Sequence, residues 1–112
     1  MAANARRGEI EAMLDGRQYR MCLTLGALAE LEHALGAGDL VALGERFSTG
    51  RLSAKDLMAV IGAGLRGAGN QVSDNDVGLM QAEGGVAGFA QIAAAMLLAT
   101  FGEAQAAPQT RG

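Results

Sequence analysis

Cysteine and histidine are scarce in this sequence, and their scarcity excludes several kinds of site. Cys22 is the only cysteine among 112 residues, so neither an intramolecular disulfide nor a cysteine-rich metal site can form. His33 is the only histidine, and an imidazole without other ligands at metal-binding spacing is typical of a helix surface. We therefore expect no metal and no bound cofactor. A lone cysteine also suits a reducing compartment, and we predict a cytoplasmic location.

Basic residues are missing from a long part of the chain. None lies between Arg66 and Arg111, and the formal net charge is −3. The same span contains four acidic residues, which are Asp74, Asp76, Glu83 and Glu103. Binding of nucleic acid depends on clustered lysine and arginine that neutralise phosphates. The sequence therefore predicts no nucleic-acid partner.

Neither end of the chain carries a pattern typical of an ordered element. No apolar stretch follows Arg6 and Arg7, so no signal peptide is predicted. Residues 1–8 are expected to form a flexible N-terminus, and residues 104–112, which lack a periodic apolar pattern, a loose C-terminal tail. Between them a single domain is predicted over residues 9–103.

A β-hairpin is predicted over residues 9–24. Its centre is Asp15-Gly16, a dipeptide typical of a two-residue type I′ turn. This turn places Leu14 opposite Arg17, and Glu11 opposite Arg20 as an opposite-charge pair on the exposed face. The other face is apolar and consists of Ile10, Ala12, Leu14, Tyr19, Met21 and Leu23. An isolated hairpin is marginally stable in water, so helices must cover this apolar face.

Helices are predicted for the rest of the chain, which is rich in alanine, leucine and methionine and poor in aromatic residues. Thr24 is a good N-cap for the first helix and Gly36 a good C-terminal stop. Ser53 with Asp56, and Ser73 with Asp76, resemble capping boxes. The predicted helices cover about residues 25–35, 40–48, 54–66, 74–83 and 86–102. The predicted fold class is α+β, with an N-terminal antiparallel β-hairpin packed on a bundle of about five short helices.

Gly62-x-Gly64-x-x-Gly67 has the written form of a dinucleotide-binding turn. Such a site needs a strand before the motif and a long helix after it, whose N-terminal amides hold the pyrophosphate. Here the apolar residues behind Ser53 follow the spacing of one helical face, and the next cap at Ser73 leaves no room for a following helix. We therefore interpret the glycines as packing and helix-ending residues.

Residues 86–102 form a long uncharged stretch. As a helix it would be about 26 Å long, short for a membrane span, and no basic residues flank it. We expect no membrane and predict a central core helix, with an inner face of Val86, Phe89, Ala90, Ala93, Met96 and Leu97. Leu79, Ile92 and Leu98 point away from the inner faces of the last two helices, so we predict that these three residues bind a partner.

No catalytic motif is present. Paired carboxylates such as Glu30 and Glu32 are two residues apart on a predicted helix and do not face each other. A small thiol enzyme that uses Cys22 remains an alternative, with His33 a helix away in the sequence. The residues favour a protein-binding domain without enzymatic activity.

Two runs of the sequence carry a family resemblance: "LDGRQYRMCLTLGALAELEHALGA" and "LVALGERFSTGRLSAKDLMAVIGAGLRGAG". They resemble the small tail-cluster proteins of gene transfer agents and related prophages, over roughly residues 8–103. The most specific parts are the hairpin that leads directly into residues 26–32, the turn from Arg46-Phe47 to Gly50, and Leu65-Arg66-Gly67.

This resemblance implies a role in phage-tail assembly. The family is described as a tail assembly chaperone and also as a tail tube protein, so the implied partners are the tape-measure protein and tail tube subunits. It implies no catalytic residue. The tail-tube description implies a β-rich ring subunit, against which one hairpin and about five helices argue. A structural component retained in the mature tail remains the alternative, and a homo-oligomer is compatible with the sequence.

Overall fold

The computed structural model of the chain describes residues 8–102. The predicted C-terminal tail, and the predicted flexible N-terminus apart from Gly8, lie outside the described residues. Two strands, β1 and β2, precede five helices, α1 to α5, and the last helix continues into a π-helical segment. Their bounds are Glu9–Leu14, Arg17–Cys22, Leu25–Leu35, Leu40–Ser48, Ala54–Gly67, Asp74–Gly78, Gly85–Leu97 and, for the π-helical segment, Leu98–Gly102. This arrangement confirms the predicted α+β class.

The hairpin has the predicted turn and register. Asp15 and Gly16 have φ angles of 55° and 72°, as a type I′ turn requires, and Leu14 pairs with Arg17. On the inner face Ala12, Leu14, Met21 and Leu23 are buried. The predicted charge pair is wrong in one respect: Arg20 lies opposite Glu11, but the Glu11 carboxylate accepts a hydrogen bond from the side-chain amide of Gln18. Gln18 sits diagonally from Glu11, within reach of a long side chain.

The helix starts follow the predicted caps. The Thr24 hydroxyl accepts a hydrogen bond from the Ala27 amide at 3.1 Å, and Gly36 ends α1 in the left-handed conformation. Ser53 and Ser73 each form a reciprocal capping box with the aspartate three residues later. Aspartate therefore replaces the more common glutamate at this position without loss of either bond.

The central helix is α3. It packs against α1, β2, α4 and α5, and every residue from Ala59 to Leu65 is buried. The prediction that residues 86–102 form the central helix is wrong, since only Ala93 and Met96 are buried in α5 and none in the π-helical segment. The reason is that α3 combines branched apolar residues with glycines, which let neighbouring elements approach on several sides. Alanine-rich α5 covers one side of this arrangement.

Helix α4 is shorter than predicted and ends at Gly78 instead of residue 83. The backbone of Gln81 is bound to the hairpin turn, because its carbonyl accepts from the Asp15 amide at 2.8 Å and its amide donates to the Asp15 carboxylate at 2.9 Å. These tertiary bonds replace the helical ones. The segment from Leu79 to Gly84 is consequently a loop attached to the tip of the hairpin.

The buried inner face of the hairpin generates a stability prediction. Leu14 is fully buried, so Leu14→Asp should lower the free energy of unfolding by more than about 4 kcal/mol through lost packing and an unpaired buried charge. Glu11→Gln should change it by less than about 1 kcal/mol, since it alters only a surface contact. Urea denaturation followed by circular dichroism measures both. The opposite ranking would contradict the register.

Candidate functional site

An apolar groove lies between α5 and the C-terminal part of α2. We call it the α5 groove; its volume is about 610 Å³. One wall is a ridge of α5 and the π-helical segment, in which Val86, Ala90, Ala94 and Leu98 follow at four-residue spacing. The other lining residues are Gly44, Phe47, Ser48, Gly50, Leu52, Leu57, Leu97, Phe101 and Gly102. No charged side chain lines this groove, and Ser48 is its one polar lining residue within the described part of the chain.

The ridge has a shape that suits another helix. Val86 and Leu98 are 76% and 70% exposed, and they project from either end of a stretch in which the ridge residues are alanines. Twelve residues of helix separate them by roughly 18 Å. The small side chains between them leave room for a second helix to approach, and α2 forms the opposite wall.

The three residues predicted to bind a partner are not brought together. Leu98 lines the α5 groove, whereas Ile92 is half-buried, packs against the core and lines a separate groove beside β1. Leu79 is 84% exposed, but it lies in the loop after α4 and lines neither groove. Ile92 and Leu98 are six residues apart, which places them on different sides of one helix. The partner-binding role of all three stays a prediction.

The exposure of Val86 is not predicted from the sequence. The predicted inner face of residues 86–102 includes Val86 and Ala90, but both are exposed in the structure. The error follows from the prediction that α5 is central. That prediction places Val86 and Ala90 in the core, whereas in the structure they line the α5 groove. The available signal was the composition of α3, which has more branched apolar residues at its inner positions than α5 has.

The segment Gly85–Gly102 is long and apolar enough to cross a membrane by length and composition alone. It has 18 residues with a mean hydropathy of 1.6, and only 11% of them are buried in the fold. Core helices of soluble proteins pass the same test of length and composition, but they are mostly buried. The most apolar helix of the described residues is therefore not a buried core helix. Eight of its 18 residues are exposed, which a docking surface for another helix or lipid would explain.

The glycine motif lies inside one continuous helix, Ala54–Gly67, with no strand before it. A Cβ atom on Gly64 would lie 2.9 Å from the Met96 sulfur, and one on Gly67 would overlap the carbonyl oxygen of Cys22. Both glycines thus permit close packing, as interpreted from the sequence. Gly69 has φ = 98° and takes the left-handed position just after the helix.

Arg66, which follows the second glycine of the motif, is committed to structural contacts. Its Nη1 donates to the Val72 carbonyl at 3.0 Å and the Asp74 carboxylate at 3.1 Å, and its Nε and Nη2 donate to Glu30. Burial lowers the pKa of Arg66, but the hydrogen bonds to Glu30 and Asp74 outweigh that effect and raise it. These contacts join α1, α3 and the start of α4, and they occupy the donors that a phosphate would need.

Asp56 is the buried carboxylate of the described residues, at 6% exposure. Burial raises its pKa, but hydrogen bonds from the Ser53 backbone and from Arg46 outweigh this effect, and the net pKa is lowered. Its two oxygens accept from the Ser53 amide at 3.0 Å and from Arg46 Nη2 at 3.2 Å. A charged, fully bonded carboxylate of this kind stabilises the start of α3 and is unsuited to proton transfer at neutral pH.

The chemistry of Cys22 does not support a thiol enzyme. Burial, with a smaller effect of Glu9, raises the pKa of this thiol, whereas a nucleophilic cysteine needs a lowered one. Within residues 8–102 no cluster of three or more histidine, cysteine or acidic side chains could hold a metal ion. The hydrogen bonds that shift the pKa values of Asp56 and Arg66 connect helices, whereas the α5 groove has no such structural role.

Calorimetry with NAD or FAD tests the nucleotide interpretation of the glycine motif. We expect no binding heat at millimolar ligand, and micromolar affinity that Gly64→Val abolishes would contradict the helix packing.

In the same chain Gly67→Ala should lower the free energy of unfolding by about 2 kcal/mol or more, because the new methyl group meets a backbone carbonyl. The matched control is Gly44→Ala, where nothing lies within 4 Å and the change should stabilise α2 by about 0.5–1 kcal/mol.

The two capping boxes provide a matched pair of aspartates. Asp56→Ala should lower the free energy of unfolding by about 2–3 kcal/mol, because the Ser53 amide and the Arg46 guanidinium lose their acceptor. Asp76 is exposed, so Asp76→Ala should lower it by only about 0.5–1 kcal/mol. Because the folded-state pKa of Asp56 is lowered, its contribution is fully present above the unfolded pKa and is lost as the pH falls through the folded one. Urea titrations at pH 7 and pH 3 should therefore show a smaller effect of Asp56→Ala at pH 3. An equal effect at both pH values would contradict the role of the charged form.

Comparison with known proteins supplies the family. Residues 7–103 match the family model described as phage tail tube protein, GTA-gp10. No curated protein and no solved structure matches the chain. The matched region contains both strands, all five helices and the α5 groove. A phage-tail-related role, structural or in assembly, is what this family carries. The chain belongs to the phage tail tube protein family GTA-gp10.

Proposed function

We propose that the protein is a tail assembly chaperone that binds the helical tape-measure protein in the α5 groove and keeps it soluble until tail tube subunits assemble around it. The observation that carries the proposal is the exposure of the most apolar helix of the described residues, Gly85–Gly102, in which two residues are fully buried and eight are exposed. Family membership supplies the tail context. The proposed place of action is the cytoplasm of the bacterial host, where the particle is assembled.

The groove suits an amphipathic helix for reasons of packing and solvation. Burial of apolar surface contributes roughly 25 cal/mol per Å², and an uncharged lining means that no charge has to be desolvated on binding. Recognition of a helix in a groove uses apolar anchors at three- and four-residue spacing. Phe47 on α2 and Val86 and Leu98 at the ends of the ridge would contact such anchors. The client implied by this surface is therefore a helix with one apolar face.

The fold supports a chaperone better than a ring subunit of the tube. Its sheet is a two-stranded hairpin of six residues per strand, and the remaining elements of the described range are helical. A tube built from continuous sheets needs more strand than this. A structural component of the mature tail is the second candidate, favoured by the tail-tube description of the family. Mass spectrometry of purified particles separates the two, since a chaperone should be absent from them.

Co-expression with a tape-measure protein from the same genome tests the groove. Wild type should keep the client in the soluble fraction. Val86→Glu with Leu98→Glu should release it into the pellet, because two carboxylates would be desolvated against an apolar helix. The melting temperature should change little, since both side chains are exposed. Leu79→Glu, measured alone, shows whether the surface extends to the loop after α4, as the sequence predicted.

Leu25→Glu is the matched control for these variants. Leu25 is 79% exposed but lies at the start of α1 and does not line the α5 groove, so client solubility should remain at the wild-type level. A double variant that folds and still holds the client soluble would contradict the proposal. Sedimentation of wild-type protein with membranes, in the absence of client, would assign Gly85–Gly102 to lipid instead.

A further inference from the structure

The sheet of this protein has one covered edge and one open edge. In a hairpin with a two-residue turn, the residues next to the turn, here Leu14 and Arg17, exchange backbone hydrogen bonds. Every second pair along the two strands does the same. The backbone amides and carbonyls of the pairs between them, such as Glu11 with Arg20 and Met13 with Gln18, point outward from the sheet. Each outer edge of the hairpin therefore presents polar backbone groups to whatever lies beside it.

The β2 edge is covered by the end of α3 and the turn that follows. The Asn70 side-chain amide donates to the Arg20 carbonyl at 2.9 Å, and the backbone of Gly67 lies against the carbonyl of Cys22. At the β1 edge, no backbone–backbone hydrogen bond within residues 8–102 reaches the outward groups of Glu11 or Met13. The outward backbone groups of Glu11 and Met13 thus have no backbone partner within residues 8–102, whereas the outward carbonyl of Arg20 has a partner in the Asn70 side chain.

The β1 edge carries two glutamates but lacks the other sequence features with which proteins usually protect an open strand. Its sequence, Glu-Ile-Glu-Ala-Met-Leu, contains neither lysine nor proline, all six residues pair in regular register without a bulge, and Met13 is 50% exposed. Beside it runs the edge groove, of about 270 Å³, in which Ile92 and Ala95 of α5 lie next to β1. Two carboxylates, Glu11 and Glu83, line this groove, and no basic residue does.

These charges decide which strand the edge accepts. Antiparallel pairing of β1 with β1 of a second copy, centred on Ile10 or Glu11, sets glutamates directly opposite each other. The register centred on Ala12 brings Glu9 beside Asp15. Like charges opposite each other are destabilising in all three registers, whereas a strand with basic side chains on the exposed face would meet opposite charges. Apolar side chains on its other face would meet Ile92 and Ala95.

We propose that an extended segment of a partner protein binds the open edge of β1 and forms a third antiparallel strand of the sheet. Basic and apolar side chains alternate along this segment. The segment contributes backbone hydrogen bonds to Glu11 and Met13, its basic side chains face Glu11, and its apolar side chains enter the edge groove. This surface is separate from the α5 groove, so the proposal goes beyond the chaperone function and stands or falls without it.

The probe is a capped peptide, Thr-Lys-Val-Lys-Val-Lys-Thr, titrated into the isotope-labelled full-length protein and followed by nuclear magnetic resonance. Saturable binding should shift the amide signals of Glu11 and Met13, and new cross-strand contacts to β1 should appear. The same peptide with N-methyl groups on the residues that face β1 should not bind, because its backbone can no longer donate. Equal binding of the two peptides would overturn the proposal, as would the absence of any binding.

Charge and backbone variants complete the test. Glu11→Lys should weaken binding about tenfold, and Glu45→Lys, which makes the same charge change on α2 away from β1, should leave it unchanged. Met13→Pro removes an outward amide at a position where an edge strand tolerates proline, and it should abolish binding at an unchanged melting temperature. Equal weakening by the two lysine variants would show attraction by net charge only and would overturn the proposal.

Light scattering of the protein without peptide should show a monomer. A dimer that Met13→Pro dissociates would assign the edge to a second copy instead and would overturn the proposal.

Discussion

The close approach of α3 to the hairpin is the contact on which the arrangement of the other elements depends. Gly67 lies directly against the carbonyl of Cys22, and one turn earlier Gly64 accommodates the side chains of Met21 and Met96. Backbone of a helix can approach a strand this closely only where side chains are absent. The inner face of the two-stranded sheet, which could not stay folded alone, is thereby covered by a helix that is itself covered by α1, α4 and α5.

That central position of α3 explains why α5 is exposed. α3 covers the hairpin, and α5 completes the core on that side with the buried Ala93 and Met96 and with partly buried side chains that include Phe89, Ile92 and Leu97. Its remaining surface is apolar because of its composition and uncovered because of its position at the periphery. A helix that only closed the core of a free-standing domain would carry polar residues outside. The uncharged outer surface of α5 is therefore the strongest indication of a partner.

Arg46, Asp56 and Arg66 have structural roles, and none of them lines the α5 groove or the edge groove. Arg66 connects Glu30 and Asp74, and Arg46 connects to Asp56, so these ion pairs are satisfied within the chain. No buried side-chain polar atom of the described residues lacks a hydrogen-bond partner. What remains unsatisfied is apolar surface at the α5 groove and backbone at the β1 edge. The two surfaces differ in the partner geometry that they suit, a helix for the groove and an extended strand for the edge.

Local chemistry, readable in the sequence, determined the hairpin turn, its register, the helix caps and the helical nature of the glycine motif. Each of these depends on residues within a few positions of one another: the positive φ angles at Asp15-Gly16, the Ser53 box, and the periodicity behind it. Family resemblance was likewise carried by the order of such local elements. The sequence also indicated that apolar surface near Leu98 would be left over.

The tertiary structure alone decided which helix is central, where α4 ends, and which face of α5 is open. The composition of residues 86–102 is that of a core helix, but burial depends on which helix covers the inner face of the hairpin. The glycines of α3 allow α3 to lie there. The end of α4 is set by hydrogen bonds between Gln81 and Asp15, which are 66 residues apart. The separation of Ile92 from Leu98 follows from the same packing. Periodicity within one helix defines which residues share a face, and only the neighbouring elements determine which face is covered.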